Sequence, residues 1–354
     1  MRAADLPRGQ AALPPRWRRW VVGVYLTIRV SAFGFTGLLP LVGAASVAPA
    51  WNAVQTAWLL AVALAFHVFA YVLNDVVDLW LDRSEPLRAD SPLVRGELGR
   101  THALLIAWLQ VPLAFVLAWA AGAGAAAFGW LAVAFIAMTL YDVYGKRCPW
   151  PLLTDAVQSA GWCALLLFGA ALFGTAPNAA TGWLAAYVFL CVMLVNGVHG
   201  SLRDLANDQE RGARTTALWL GARPATGSAV RVSPALALYT LGLQMGLVVC
   251  ALATWLALDH GSPAGSARAF GLLLVVLAAA VLSLLAAARQ AADRRSFVAA
   301  GAWNIVATLL VMPALAGPLL GLVGGTVLLA VLLLPVLAMW AYNGSHWGLK
   351  ELKP

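Results

Sequence analysis

The sequence predicts an all-α protein, a polytopic membrane bundle, and three observations carry that prediction. Hydrophobic residues fill 62% of the 354 positions, charged residues only 11%, and the mean hydropathy is +0.81, a balance outside the range of soluble domains. Ten stretches are apolar over about 20 residues, the length that crosses roughly 30 Å of hydrocarbon. Lysine and arginine collect in alternate connections between those stretches, as cytoplasmic connections do. Spanning helices stack into one continuous bundle, so the expected organisation is an N-terminal tail at 1–19, one membrane domain at 20–343 and a C-terminal tail at 344–354.

Each stretch has a local reason. The opening MRAADLPRGQAALPPRWRRW is arginine-rich and has no small-residue cleavage site after a short apolar core, so it reads as a cytoplasmic tail rather than a removable signal peptide. The predicted spans are 20–39, 52–74, 102–121, 125–144, 151–173, 181–203, 234–257, 269–288, 299–318 and 325–343. In the last pair, Pro313, Gly317, Pro318 and Gly321 could make one broken segment. With the N-terminus inside, the inner connections hold Arg83, Arg88, Arg95 and Arg100, then Lys146 and Arg147, then the run from Arg203 to Arg231. Arg289, Arg294 and Arg295 follow, then Lys350 and Lys353. Only Arg29 and Arg268 fall elsewhere, so both termini are expected in the cytoplasm. The net charge of +8 therefore reflects topology, with no nucleic-acid-reading motif beside it. Cys148, Cys163, Cys191 and Cys250 have no CxxC spacing and sit mostly in apolar segments, where a thiol is a small hydrophobe.

Two inner connections are longer than joining helices requires, 75–101 and 204–233, and each opens on an acidic cluster at a helix end. In NDVVDLWLD, Asn74, Asp78 and Asp82 recur every four residues and share a helical face, with Asp75 turned about 100° away. Asp204 and Asp208 repeat the interval. Their positions after the second and sixth spans hint at a pseudo-repeat. Carboxylates crowded at a membrane boundary repel one another and resist desolvation unless a cation lies among them. Oxygen-only donors favour magnesium over zinc, and magnesium shares its shell with substrate phosphates, which the neighbouring basic residues would also hold. The bland alternative, solvated helix ends paired at i, i+4, suits one such cluster better than two matched ones on the same side.

The stretch from Asn74 to Asp82 resembles the NDxxDxxxD motif of the UbiA superfamily of intramembrane prenyltransferases, and Asp204 to Asp208 resembles its second motif, followed by the family-like GARTTALWLG. YDVYGKR, from Tyr141 to Arg147, looks like the family's tyrosine and lysine motif. The resemblance covers roughly 20–320. It implies nine helices around a central cavity, a cytoplasmic cap bearing the motifs and a lateral opening for a lipid tail, with the tenth predicted helix as an addition. One departure is DSPLVRG, where Ser91 stands before Pro92 in place of the arginine of many family members; Arg88 and Arg95 lie close enough to substitute.

The roles that follow are expectations. Asn74, Asp78, Asp82, Asp204 and Asp208 would coordinate Mg2+ ions bridging an isoprenyl diphosphate, with Asp75 joining the set or orienting it. Lys146, Arg147 and Arg203 would neutralise the departing diphosphate. Tyr141 would orient the lysine or face the allylic cation, or else hold the fourth helix at the interface. Arg29, alone in mid-helix, would face the cavity and bind the acceptor or the diphosphate, or else snorkel to the surface. His199 is a proton-acceptor candidate or a packed histidine, Gln244 and Asn304 are interhelical hydrogen bonders, and Trp108 and Trp119 belong to an interfacial belt or to the prenyl channel. The expected reaction transfers a prenyl group to an aromatic, quinone-precursor or other electron-rich acceptor. A terpene cyclase, which captures the cation internally, is the second reading. A transporter would place its acidic residues near the bilayer midplane, whereas these lie at one surface.

Overall fold

A computed structural model describes residues 16–48, 52–85, 88–172, 176–225, 230–258, 263–289 and 294–343. The tails expected at 1–15 and 344–354 lie outside the described residues, and helix begins at Arg16, within the segment expected as a tail. Each of the ten predicted stretches falls on helix. Eight helical segments among the described residues are long and apolar enough to span a membrane; one of these, Ala300–Ala338, holds two helices, and Ala269–Leu285 is a shorter apolar helix.

The first span is broken, which the sequence reading did not anticipate. Helix α1 (Arg16–Ile28) stops at Arg29, whose φ of 52° and ψ of 52° are left-handed, and after a 3₁₀ turn α2 (Phe33–Val47) sets off again. Such a backbone costs a non-glycine residue about 1–2 kcal/mol. His67, fully buried in α3 (Ala53–Val77), offsets it. A carbonyl can only accept, so the ring Nε2–H donates to the freed Ile28 carbonyl at 2.9 Å, while the Thr36 hydroxyl donates to Nδ1 at 2.8 Å.

After α3 come the short α4 (Leu79–Asp82), α5 (Arg100–Ala120), α6 (Ala125–Tyr144), α7 (Pro151–Leu172) and α8 (Ala179–Val192). A π-helical stretch, Met193–Gly200, continues α8 into α9 (Ser201–Arg203), then α10 (Leu205–Glu210) and α11 (Thr216–Trp219). Two-residue strands β1 (Arg223–Pro224) and β2 (Val230–Arg231) pair antiparallel. The chain ends with α12 (Pro234–Ala257), α13 (Pro263–Arg289), α14 (Arg294–Ala316) and α15 (Gly321–Asn343). Gly321, at φ 67°, makes the left-handed turn between the last two.

Helix α2 is the hub, buried along most of its length and packed on α3, α7, α14 and α15. Its contact with α7 is backbone on backbone: a Cβ on Gly43 would lie 2.0 Å from the Leu166 carbonyl oxygen, and one on Gly169 equally close to that of Pro40. Small residues at such crossings let helices gain packing that lipid alone would not drive. The outer faces of α5 and α12 expose Leu105, Leu109, Val116, Leu238, Met245 and Val249, as a lipid-facing surface does. Trp108 and Trp119 lie on that outside too, 47% and 73% exposed, and do not line the interior. The four cysteines are free.

Candidate active site

Both acidic motifs sit at broken helices. Helix α3 ends at Asp78, with φ −83° and ψ 2°, and α9 ends at Asp204, with φ −97° and ψ 7°. This sparsely populated bridge region is common at active sites. Each break leaves one carboxylate at the corner and a second, Asp82 or Asp208, in the next short helix. The i, i+4 spacing survives because the Asp82 and Asp208 amides still donate to the Asp78 and Asp204 carbonyls, at 3.0 and 2.9 Å.

The two motifs, about 125 residues apart, meet through the loops that follow them. Ser84 donates to Asn207 Oδ1 at 2.8 Å and accepts from Arg211 Nε at 2.8 Å, while Asn207 Nδ2 donates to the Leu81 carbonyl at 3.2 Å. Between the motifs stands Lys146, delivered by the turn after α6, its Nζ 3.7 Å from Asp78 and 3.5 Å from Asp208. These groups close one end of a cavity of about 400 Å³ whose remaining wall includes Phe35, Met138, Trp162, Val192, Leu309 and Leu332. One end is thus densely charged, and much of the remaining wall is apolar.

Burial raises Asp78 above the usual carboxylate range despite Lys146 nearby, and lifts Asp82 and Asp208 to about 6. Asp204 differs: burial works to raise it, but Arg203, gripping both carboxylate oxygens at 2.8 Å, holds it well below the ordinary value. Burial likewise opposes the Lys146 ammonium, and Asp78 and Asp208 outweigh it, keeping the lysine charged.

Of the residues expected at the site, Arg29, Asn74, Asp78, Asp82, Arg88, Tyr141, Lys146, Arg203, Asp204 and Asp208 all border the cavity. Three do not. Asp75 is buried off the cavity and ion-paired to Arg29. Arg147 lies over the Trp80 ring, 5.8 Å from its centre. Arg95 pairs at the surface with Glu97 at 2.9 Å and Asp90 at 3.8 Å. Arg88, 3.7 Å from Asp82 and two residues before the DSPLVRG stretch, is therefore the arginine of the two that reaches the motifs. His199 lies off the cavity, its Nε2 2.8 Å from Asn304 Oδ1, and Asn304 reaches Gln244, so these three tie the π-helical stretch to α12 and α14.

The structure adds residues the sequence did not single out. Asp142 borders the cavity beside Asn74, whose Nδ2 donates to it at 3.3 Å and to Asp78 at 3.4 Å. Asp155 and Gln158 on α7, with Asn196 in the π-helical stretch, form a second polar wall. The signal that could have found them is weak: single polar residues in spanning segments, at i, i+3 in the case of Asp155 and Gln158.

The donors fit a hard divalent cation. Asn74 spends its amide hydrogens on two carboxylates, which leaves its Oδ1 as an oxygen donor beside those of Asp78, Asp82 and Asp208, a set that would suit such an ion. Among the described residues no three acidic, histidine or cysteine side chains close into a cage of their own. Magnesium suits that openness, since it is commonly held by one or two carboxylates with waters and substrate phosphates completing its shell.

Comparison with known proteins gives the same picture. The profile of the UbiA prenyltransferase family matches residues 32–300. Among solved structures, a UbiA homologue from Archaeoglobus fulgidus bound to DMAPP and Mg2+ superposes with a TM-score of 0.59 over 82% of this chain and 98% of that one, at 15% identity. The apo structure of a UbiA homologue from Aeropyrum pernix K1 gives 0.59 at 17% identity, over 82% of this chain and 97% of that one. In sequence, a digeranylgeranylglyceryl phosphate synthase from Pyrococcus furiosus is 31% identical over 156 residues, 43% of this chain and 52% of the relative. The chain thus spans about half the length of the curated relatives it matches. Broken helices carrying paired acidic motifs, a lysine between them, a cavity with a large apolar wall beneath and a profile match over most of the chain lead to one conclusion: this protein belongs to the UbiA prenyltransferase family.

Proposed function

We propose that this protein is a magnesium-dependent intramembrane prenyltransferase, which binds an isoprenyl diphosphate with its head at the acidic corners and its tail in the apolar cavity. One observation carries the reading: two carboxylate-bearing helix breaks converge on a single ammonium, Lys146, at one end of a cavity whose walls include a large apolar stretch. Asn74, Asp78, Asp82 and Asp208 would hold Mg2+, which supplies charge neutralisation to the leaving diphosphate. Lys146 and Arg88 supply further positive charge where the diphosphate departs, and Arg203 keeps Asp204 ionised beside them. Tyr141 lines the path of the prenyl C1 and, with Phe35 and Trp162, keeps water from the allylic carbon as the C–O bond breaks.

The acceptor is an electron-rich small molecule that meets the prenyl C1 inside the cavity. The Pyrococcus relatives are named for making a glyceryl phosphate product, which brings hydroxyl acceptors into consideration beside aromatic ones.

The test is diphosphate release from geranylgeranyl diphosphate by the purified protein with Mg2+. Asp78→Ala and Asp208→Ala should each lower turnover at least a hundredfold while leaving monodisperse protein. Full activity in either variant would overturn the assignment of the acidic corners. A cyclic hydrocarbon formed without any acceptor would replace transfer by cyclisation.

A further inference from the structure

Behind the acidic corners the cavity carries a second polar surface that the diphosphate reading does not use. Asp155 is 8% exposed and borders the cavity one turn inside α7. Thr216 donates to its Oδ2 at 2.6 Å, and Gly197 crowds the same oxygen so closely that a Cβ there would sit 2.7 Å away. The carboxylate is therefore pinned in one orientation, with Oδ1 left to the cavity. No lysine or arginine among the described residues pairs with it.

The groups around Asp155 complement it. Asn196 Nδ2 donates to Gln158 Oε1 and, at 3.4 Å, to the Tyr141 hydroxyl, which leaves Gln158 Nε2 and Asn196 Oδ1 for something else. The π-helical stretch makes this pairing possible, because its extra residue per turn rotates Asn196 toward α7. Thr215 also borders the cavity, 7% exposed, with a buried hydroxyl that has no partner. A buried polar group without a partner is costly unless a ligand supplies one. The surface thus presents one fixed anionic acceptor, amide donors, a further acceptor and an idle hydroxyl.

We propose that Asp155, Gln158, Asn196 and Thr215 form an acceptor subsite that takes a neutral hydroxyl-bearing head, a diol or polyol end of a lipid, and rejects an anionic carboxylate head. A hydroxyl donates to Asp155 and accepts from Gln158 at once. A carboxylate meets repulsion at Asp155, which forms no ion pair with a lysine or arginine among the described residues. The inference rests on the prenyltransferase reading for the word acceptor, but not for the binding chemistry.

The experiment measures thermal stability of the full-length protein in detergent, since a ligand that binds only the folded state raises Tm. The probes are 1-O-hexadecylglycerol, a neutral diol, and hexadecyloxyacetic acid, its carboxylate counterpart. The wild type should be stabilised by the diol at concentrations roughly tenfold or more below any effect of the acid. Asp155→Ala and Gln158→Leu should each weaken the diol effect roughly tenfold, the scale of one hydrogen bond to a charged or buried amide group. Equal stabilisation by the acid, no stabilisation by the diol, or full retention of the diol effect in variants that still unfold in one transition would each overturn the subsite. Stabilisation by Mg2+ with geranylgeranyl diphosphate is read separately: its absence in a wild type that binds the diol would sink the diphosphate reading and leave the subsite standing.

Discussion

Arg29 shows how one residue can be legible in kind and not in partner. A lone arginine in an apolar stretch must be neutralised, and the structure supplies Asp75, 4% exposed, with the guanidinium also 5.6 Å from the centre of the Tyr71 ring. Asp75 is thereby taken from the metal-binding set in which its place in NDVVD had put it. Truncating one member of a buried pair leaves the other charge stranded, at a cost of about 3–5 kcal/mol. Arg29→Ala should lower Tm markedly in detergent, and the Arg29→Ala with Asp75→Ala double variant should recover part of the loss. A double variant no more stable than the sum of the singles would show that the two residues act independently. Asp142 and Asp155 stayed hidden for a related reason: a single aspartate in a long apolar segment does not declare which neighbours surround it.

At the scale of elements, the breaks matter more than the helices. Asp78 and Asp204 interrupt helices that the i, i+4 spacing predicts as continuous, yet the carboxylates keep their shared face because one hydrogen bond spans each corner. The corners are held together by Asn207, which bonds both Leu81 and Ser84. Asn207→Ala removes those bonds, worth about 1–3 kcal/mol if their partners are left unmade, and should raise the KM for the prenyl diphosphate more than it lowers Tm. An unchanged KM would mean the corners stay together without it. The α2–α7 crossing makes a sharper demand. Gly169→Leu places side-chain carbons where the Pro40 carbonyl stands, so it should abolish recovery of monodisperse protein, while Gly169→Ala should cost about 1–3 kcal/mol or more through forced displacement of the helices.

For the whole molecule, the spans and the charge bias agree on which connections share a side. The acidic corners, Lys146 and Arg203 all lie at one end of the bundle, the end where arginine and lysine concentrate. We therefore expect that end to face the cytoplasm. In a Cys148→Ser background, which removes the partly exposed native thiol, Arg95→Cys should react with a membrane-impermeant maleimide only in inside-out vesicles and Gly122→Cys only in right-side-out ones. The reverse pattern would invert the topology.

Composition and periodicity determined that the chain is a helical membrane bundle, where its spans fall and which residues carry the motifs, because hydrophobicity and i, i+4 spacing are properties of neighbours along the chain. The break at Arg29, the π-helical turn at Asn196, the pairing of Arg29 with Asp75 and the meeting of Asp78, Lys146 and Asp208 were decided only by tertiary structure. Each depends on helices distant in sequence approaching within a few ångströms, and in a uniformly apolar chain small residues such as Gly43 and Gly169, rather than any hydrophobic pattern, select which helices approach.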